Sequence, residues 1–207
     1  MSWTLECFSP TNAPRGIGML SEWAVTSTSS DLCINSYEDA DFTTEEGARI
    51  QITGNYPAQG KVQIAVAGYT GNLALRIPQW SARTTVTAGG ATSHPKAGSY
   101  LRLDCPGRLS LELSLDFSTR YLDGQEEFEG LVSIYRGPIL FGTDVSLAGG
   151  HSLLALPSIN RAELEEAPAV SLEGRIQIPL PCGITLGDFY HLGYTGSQYT
   201  TWLRAEP

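Results

Sequence analysis

Alternation of apolar and polar residues with a period of two dominates the sequence from about residue 31 onward. The clearest example is residues 108–116 (RLSLELSLD), in which four leucines occupy every second position. Successive side chains of a β-strand point to opposite faces, so this pattern gives one apolar face and one polar face. The sequence therefore predicts strands that each bury one face on a core.

Shorter copies of the same alternation recur along the chain, and Gly-, Pro- and Asn-containing turns separate them. They are residues 31–37, 48–53, 61–67, 72–77, 84–88, 100–105, 131–135, 139–143, 175–178, 184–189 and 199–203. Many short strands without intervening helices favour an all-β fold. We predict an antiparallel β-sandwich of jelly-roll type, built as one sandwich of two layers or as two small sandwich subdomains. A repeated Gly-Tyr-Thr-Gly, at residues 68–71 and 193–196, is interpreted as two loops between strands.

Two segments have helical rather than strand-like spacing. Residues 13–25 place Ile17, Leu20 and Trp23 near one face, which predicts a short N-terminal helical segment. Residues 161–166 follow the candidate N-caps Ser158 and Asn160 and predict a second short helix. An acidic connector at residues 121–130 leads us to divide the strand-rich chain into residues 31–122 and 123–207.

Composition excludes several classes of partner. The formal net charge is −9, and the sequence has no cluster of Lys and Arg, so we expect no nucleic-acid partner. Apolar runs end after a few residues, far short of the roughly 18 that a membrane span needs, so we also expect no membrane partner. The first residues have no basic segment followed by an apolar one. We therefore expect no signal peptide and a cytoplasmic location.

Familiar catalytic and metal-binding motifs are missing from the sequence. The three histidines are far apart, and the four cysteines form no CxxC pair, so we predict no metal site in this chain. The sequence has neither a GxSxG elbow nor a phosphate-binding loop. His191 follows Asp188 by three residues, which suits either a base with its orienting carboxylate or a polar loop at the end of a strand.

The remaining candidates for function are aromatic side chains and one cysteine. Trp80, Tyr56 and Trp202 are candidates for a platform on which a sugar ring stacks, with plain packing as the alternative. Trp80, at the end of a predicted strand, is the one that we select as a substrate-binding residue. Cys7 precedes the predicted N-terminal helix, where the backbone dipole favours the thiolate, although a terminal cysteine is more often inert.

Several segments together resemble glycoside hydrolase family 127, the β-L-arabinofuranosidase-like enzymes. Residues 73–80 (LALRIPQW) resemble the family's LRIPxW strand, and residues 56–64 (YPAQGKVQI) resemble the hairpin before it. Three further segments follow in the family's order: residues 98–103 (GSYLRL), 134–140 (IYRGPIL) and 184–203. Residues 6–16 (ECFSPTNAPRG) resemble the segment that ends the family's catalytic barrel.

The resemblance implies an (α/α)6 catalytic barrel followed by β-sandwich domains. On this match residues 1–30 correspond to the end of the barrel, and Cys7 takes the position of the nucleophile. The resemblance also implies a zinc ion for the intact enzyme, held by that cysteine with a glutamate and further cysteines. The glutamates that act as acid/base and as zinc ligand belong to the part of the barrel upstream of these residues. No complete active site, and no cofactor, is therefore predicted for this chain.

We accordingly expect the non-catalytic C-terminal β-sandwich portion of a family 127-like glycoside hydrolase, inactive alone and packed against the helical barrel. Two alternatives stay open. One is a carbohydrate-binding module that holds glycans through exposed aromatic side chains. The other is a structural subunit that associates with a separate barrel chain or with a second copy of itself through the apolar face of the N-terminal helix.

Overall fold

The computed structural model describes residues 19–206, and these fall into two compact units. The first unit contains residues 19–56 and 61–114, and the second contains residues 57–60 and 115–206. Strands dominate both units, which confirms the predicted all-β sandwich class. The helices in this described range are two short α-helices and three single turns of 3₁₀-helix. None of these helices is long and apolar enough to cross a membrane.

The first unit has a mixed sheet of eight strands in its described residues. Helix α1 is Leu20–Ala24, and the strands are β1 (Val25–Ser27), β2 (Asp31–Ile34), β3 (Ala40–Thr43), β4 (Arg49–Thr53), β5 (Lys61–Arg76), β6 (Thr85–Ala88), β7 (Ala91–Ser93) and β8 (Tyr100–Ser114). The main order is β1-β2-β5-β8-β6-β7, with β4 beside β5 and β3 beside β4. All pairs are antiparallel except β2 with β5, which differs from the purely antiparallel expectation.

Strands β5 and β8 form a long antiparallel ribbon that organises this unit. Their pairing runs from Lys61 opposite Ser114 to Arg76 opposite Tyr100. The prediction of a loop at residues 68–71 is wrong, because these residues lie inside β5. Pro106 and Gly107, although typical turn residues, lie inside β8. The register shifts after Ala67, where Gly68, Gly71 and Gly107 adopt positive φ. Glycine accepts these angles without steric cost, so the ribbon bends without ending.

The bend lets one ribbon supply strands to two parts of the sheet. Before the bend, β5 pairs with β4, and after it β5 pairs with β2. Alternate side chains of each part are buried, as the period-two pattern predicts. The fully buried side chains of this unit include Leu32, Ile34, Ile50, Ile52, Val62, Ile64, Leu73, Leu75, Ile77 and Leu113.

The second unit is built around a seven-stranded sheet in its described residues. Its elements are β9 (Thr119–Asp123), β10 (Val132–Arg136), β11 (Ile139–Asp144), β12 (Ile159–Asn160), α2 (Arg161–Glu166), β13 (Val170–Leu172), β14 (Arg175–Pro179), β15 (Thr185–Asp188), β16 (Tyr199–Thr200) and β17 (Ala205–Glu206). The main order is β13-β14-β15-β11-β10-β9, and β16 pairs with β11. The short strands β12 and β17 form a separate parallel pair. The core includes Val132, Ile134, Phe141, Leu164, Ile178, Ile184, Leu186 and Leu203.

Both predicted helices have a described counterpart. Helix α2 coincides with residues 161–166, and the side chain of Asn160 caps it by accepting a hydrogen bond from the backbone N–H of Glu163 at 3.1 Å. Helix α1 is shorter than the predicted 13–25 in its described part, because the β-branched residues Val25 and Thr26 already belong to strand β1. Ile17 lies outside the described residues.

Candidate functional site

An open cleft of about 660 Å³ lies on the first unit. Its floor is formed by β2, β5 and β8 beyond the bend of the ribbon, and its wall is formed by α1 and β1. The side chains that give the cleft its chemical character are Trp23, Asp31, Asn35, Arg76, Tyr100 and Arg102. This cleft is therefore the candidate functional site of the first unit.

An ion pair crosses the floor of the cleft. Arg102 Nε on β8 donates to Asp31 Oδ1 on β2 at 2.9 Å, and the Ser30 hydroxyl donates to Asp31 Oδ2 at 2.7 Å. These two hydrogen bonds, that of Ser30 first, hold the pKa of Asp31 below its ordinary value of 3.8. Asp31 is therefore a fixed negative charge at neutral pH, already satisfied by its neighbours.

Asn35 connects the wall of the cleft to the floor. Its side-chain amide donates to the backbone carbonyl of Trp23 at 2.9 Å and to the Thr26 hydroxyl at 3.1 Å. Its amide oxygen accepts a hydrogen bond from the Tyr100 hydroxyl at 2.6 Å. Because all three contacts converge on one side chain, the position of α1 relative to the sheet is fixed.

Two aromatic rings stand at the rim of the cleft with much of their surface exposed. Trp23 is 51% exposed and Tyr100 is 46% exposed. Exposed tryptophan and tyrosine rings of this kind are common where a protein contacts another protein surface or a sugar. The cleft thus has the character of a contact surface.

Most glycoside hydrolase families place two carboxyl groups on opposite sides of the scissile bond. The described residues that line the cleft supply one. Asp31 is the carboxylate among the described residues that line the cleft, and Ser30 and Arg102 already occupy it. Cys33 also lines the cleft, in the middle of β2.

Asp188 and His191, the pair singled out by spacing, do meet in the second unit. His191 Nδ1 lies 2.7 Å from Asp188 Oδ1. The same carboxylate accepts the backbone N–H of His191 at 3.2 Å and that of Ile176 at 2.7 Å. Asp188 therefore caps a turn of 3₁₀-helix, Phe189–His191, and ties it to strand β14. This geometry favours the polar loop at a strand end over an acid–base pair.

Of the residues selected from the sequence, one lies outside the described residues and the three aromatic residues do not line the cleft. Cys7 lies outside the described residues, so its assignment as nucleophile stays a prediction. Trp80 is half-buried after strand β5 and does not line the cleft, so its sugar-binding role also stays a prediction. Tyr56 contacts the Tyr37 ring edge-on at 6.3 Å, and Trp202 stacks on Phe128 at 4.7 Å.

Cysteines and acidic side chains of the described chain do not form a metal-binding group. Residues 19–206 contain no cluster of three or more His, Cys, Asp or Glu side chains that could hold an ion. Cys33 lies on β2 and Cys105 is buried on β8, whereas Cys182 belongs to the second unit. These residues therefore do not fit the zinc site that the resemblance implies for the intact enzyme.

Part of the chain is similar in sequence to a known domain family. Residues 31–117 match the β-L-arabinofuranosidase GH127 middle domain. The match begins at β2 and ends three residues after β8, so it contains the floor of the cleft. No match to a curated protein sequence was found.

Solved structures resemble the whole fold. A protein described as a glycoside hydrolase superposes with a TM-score of 0.80 at 20% identity, over 100% of this chain and 42% of its own length. A GH127 β-L-arabinofuranosidase from Geobacillus stearothermophilus T6 gives 0.75 at 20% identity, over 94% of this chain and 37% of its own. A GH127 β-arabinofuranosidase gives 0.71 at 16% identity, over 99% and 39%. The chain thus spans about two fifths of the length of the proteins whose fold it shares.

Proposed function

We propose that this chain is the non-catalytic, C-terminal β-sandwich portion of a family 127-like glycoside hydrolase, and that it packs against the helical barrel of the intact enzyme. The match of residues 31–117 to the GH127 middle domain carries the relation to this family. Because the matched domain is a middle domain, the match does not support the C-terminal placement, which is part of the proposal. The fold shared with about two fifths of three larger glycoside hydrolases supports the proposal, because a share of that size leaves room for a separate catalytic domain.

The chemistry of the described residues supports a non-catalytic role. Three carboxylates each accept several hydrogen bonds that hold loops and strands in place: Asp31, Asp144 and Asp188. Hydrogen bonds from neighbouring loops and strands favour a structural role for such a carboxylate over that of a general acid or base. Zinc, when present in the intact enzyme, would then belong to the barrel together with its ligands.

The cleft is our proposed contact surface for the barrel. Its rim exposes Trp23 and Tyr100, and its floor carries Arg76 and Arg102 beside Asp31. Aromatic rings and arginines are enriched in the buried centres of protein interfaces, where each contributes much of the binding energy. The hydrogen bonds of Asn35 hold these groups in place before binding, which lowers the entropic cost of association.

Co-purification with a barrel tests this proposal. A tagged chain is expressed together with the helical barrel of a family 127 enzyme, supplied as a separate polypeptide, and the complex is quantified by light scattering. We expect a one-to-one complex that Trp23→Ala weakens by about tenfold or more, because the contact would bury this exposed ring. Leu154→Ala, a change at a 96% exposed side chain of the second unit, is the matched control. A clean monomer that gains no mass when the barrel is added contradicts the proposal.

A further inference from the structure

The second unit presents a loop with four exposed aromatic rings. We call residues 189–199 the aromatic loop; its rings are Phe189, Tyr190, Tyr194 and Tyr199. Tyr190 is 84% exposed and Tyr194 is 79% exposed, whereas the other two rings are about half exposed. Burial of large aromatic rings is energetically favourable, yet these four rings within eleven residues are exposed to water. Exposed apolar patches of this kind mark sites of interaction.

Asp144, at the end of β11, holds the far part of this loop. Its Oδ2 accepts hydrogen bonds from the backbone N–H of Gly193 and from the Ser197 hydroxyl, each at 3.4 Å. Its Oδ1 accepts from the Ser146 hydroxyl at 2.6 Å. Burial raises the pKa of Asp144, but the hydrogen bonds from Ser146, Gly193 and Leu147 together lower it below 3.8.

Leu192 and Asp188 hold the near part of the loop. Gly142 and Gly187 lie opposite each other on β11 and β15, and the Leu192 side chain occupies the space above both, where added Cβ atoms would meet it at 2.8 and 3.3 Å. Asp188 caps the turn that carries Phe189 and Tyr190. The loop is thus fixed at three points and presents its rings without needing to be ordered by a ligand.

Contacts between the rings also fix their orientation. Phe189 meets Tyr199 edge-on at a centroid distance of 5.9 Å, and Tyr199 packs against the backbone of Gly193, next to Tyr194. The ring of Tyr190 meets the ring of His191 edge-on at 4.8 Å. His191 therefore connects the most exposed ring of the loop to the polar residues behind it.

His191 also lines a small polar cavity. Its volume is about 30 Å³, and it is lined by Asp144, Arg175, Gln177, Asp188 and His191 among others. The carboxylate of Asp188 can only accept, so His191 Nδ1 carries the proton, and in the neutral ring Nε2 is an acceptor. A volume of that size holds one hydroxyl group or one water molecule.

We propose that the aromatic loop and this cavity form a binding site for a neutral carbohydrate. The C–H face of one sugar ring stacks on Tyr190, a neighbouring sugar contacts Tyr194, and a hydroxyl group reaches the polar residues beside His191. Neutral glycans are favoured over acidic ones because the chain carries a net charge of −9 and the cavity has two carboxylates, Asp144 and Asp188, against one guanidinium, Arg175. A polar cavity beside exposed rings suits a polyhydroxylated ligand better than a protein surface. The site goes beyond the proposed function, since it does not need the barrel.

Affinity electrophoresis of the full chain tests the site. Native gels contain arabinan, arabinogalactan or xylan as neutral probes, and polygalacturonate as an acidic probe. We expect at least one neutral polysaccharide to retard the chain. The double variant Tyr190→Ala/Tyr194→Ala should lower the affinity by about tenfold or more, as loss of two stacking contacts implies. Tyr190→Phe/Tyr194→Phe, which keeps both rings, and Leu154→Ala should be retarded like the original chain.

The outcomes that overturn the site are distinct from those that bear on the barrel. Absence of retardation by all three neutral probes, or equal retardation of the double alanine variant, overturns it. Stronger retardation by polygalacturonate overturns the choice of a neutral ligand. A dimer in light scattering that the double variant dissociates, without retardation by any glycan, would make the loop a protein interface instead. Near-ultraviolet circular dichroism confirms that each variant is folded, and none of these changes touches the cleft that carries Trp23.

Discussion

Arg102 reaches across a whole strand to meet Asp31. The two residues lie on β8 and β2, which are separated by β5, yet their Nε and Oδ1 atoms are 2.9 Å apart. The Asp31 side chain is only 8% exposed, whereas that of Arg102 is 65% exposed. The pair therefore closes the floor of the cleft with a shielded carboxylate and a guanidinium that stays open to a partner.

Stability that depends on Asp31 should follow pH. Folding lowers the pKa of this carboxyl group, so its contribution is present above the unfolded value and is lost as pH falls through the lower folded value. We expect Asp31→Asn to reduce the free energy of unfolding at pH 7. The difference from the original chain should shrink as the pH falls below 3.8.

Urea titrations at pH 7, 5 and 3 check this prediction. Arg102→Met serves as the matched variant, since it removes the partner and leaves the carboxylate in place. A difference between Asp31→Asn and the original chain that is as large at pH 3 as at pH 7 would show that the ionised carboxylate does not stabilise the fold.

Two adjacent glycines provide a controlled test of the turn after β11. Gly149 and Gly150 both have positive φ, at 61° and 86°. A Cβ at Gly149 would overlap the backbone carbonyl of Gly183, whereas one at Gly150 would meet nothing within 4 Å. Gly150→Ala should cost about 1–2 kcal/mol from backbone strain alone. Gly149→Ala should cost about 1–3 kcal/mol more because of the overlap. If both variants lose the same free energy of unfolding in urea titrations, the turn accommodates the added Cβ at Gly149 without an energetic cost.

The sequence offered two candidate N-caps for helix α2, Ser158 and Asn160, and the structure distinguishes between them. Asn160 accepts the hydrogen bond of the Glu163 N–H, so Asn160→Ala should cost about 1 kcal/mol. The Ser158 hydroxyl is buried and has no hydrogen-bond partner among the described residues, so Ser158→Ala should be neutral or slightly stabilising. Urea unfolding of the two variants measures both effects. A larger loss for Ser158→Ala would reverse the assignment.

Sequence reasoning predicts the strands well because their signal is local. In residues 108–116 the leucines occupy every second position, so all of them lie on one face of the strand, whichever strand pairs with it. The same locality explains the success at residues 161–166, where Asn160 needs only the N–H of Glu163. The sequence prediction failed where glycines lie inside the long β5–β8 ribbon. Gly68 begins a Gly-Tyr-Thr-Gly that lies inside strand β5, whereas Gly193 begins the same four residues in a turn.

The cleft could not be predicted from the sequence because its residues meet only in the folded sheet. Asn35 and Tyr100 are 65 residues apart, and the pairing of β5 with both β2 and β8 brings them together. Register of that kind depends on long-range packing, which no local pattern encodes. The aromatic loop is different, since four aromatic residues within 189–199 are visible in the sequence itself. Only their exposure required the structure.

The stability of the second unit should depend strongly on one core residue. Ile134 on β10 is fully buried within the core cluster. Ile134→Ala should lower the free energy of unfolding by about 2–5 kcal/mol through lost burial and a cavity. Leu154→Ala, at a 96% exposed position of the same unit, should change it by less than about 0.5 kcal/mol. Urea unfolding compares the two, and a loss below about 1 kcal/mol for Ile134→Ala would contradict the described core.

Hydrolysis of p-nitrophenyl β-L-arabinofuranoside by the purified chain is the most direct test of the account. If this chain is a β-sandwich portion that relies on a barrel for catalysis, nitrophenol release should not exceed the buffer blank, with or without added zinc. Cys7→Ala should then leave the result unchanged. Turnover above the blank that Cys7→Ala abolishes would place a working active site in this chain and contradict the account.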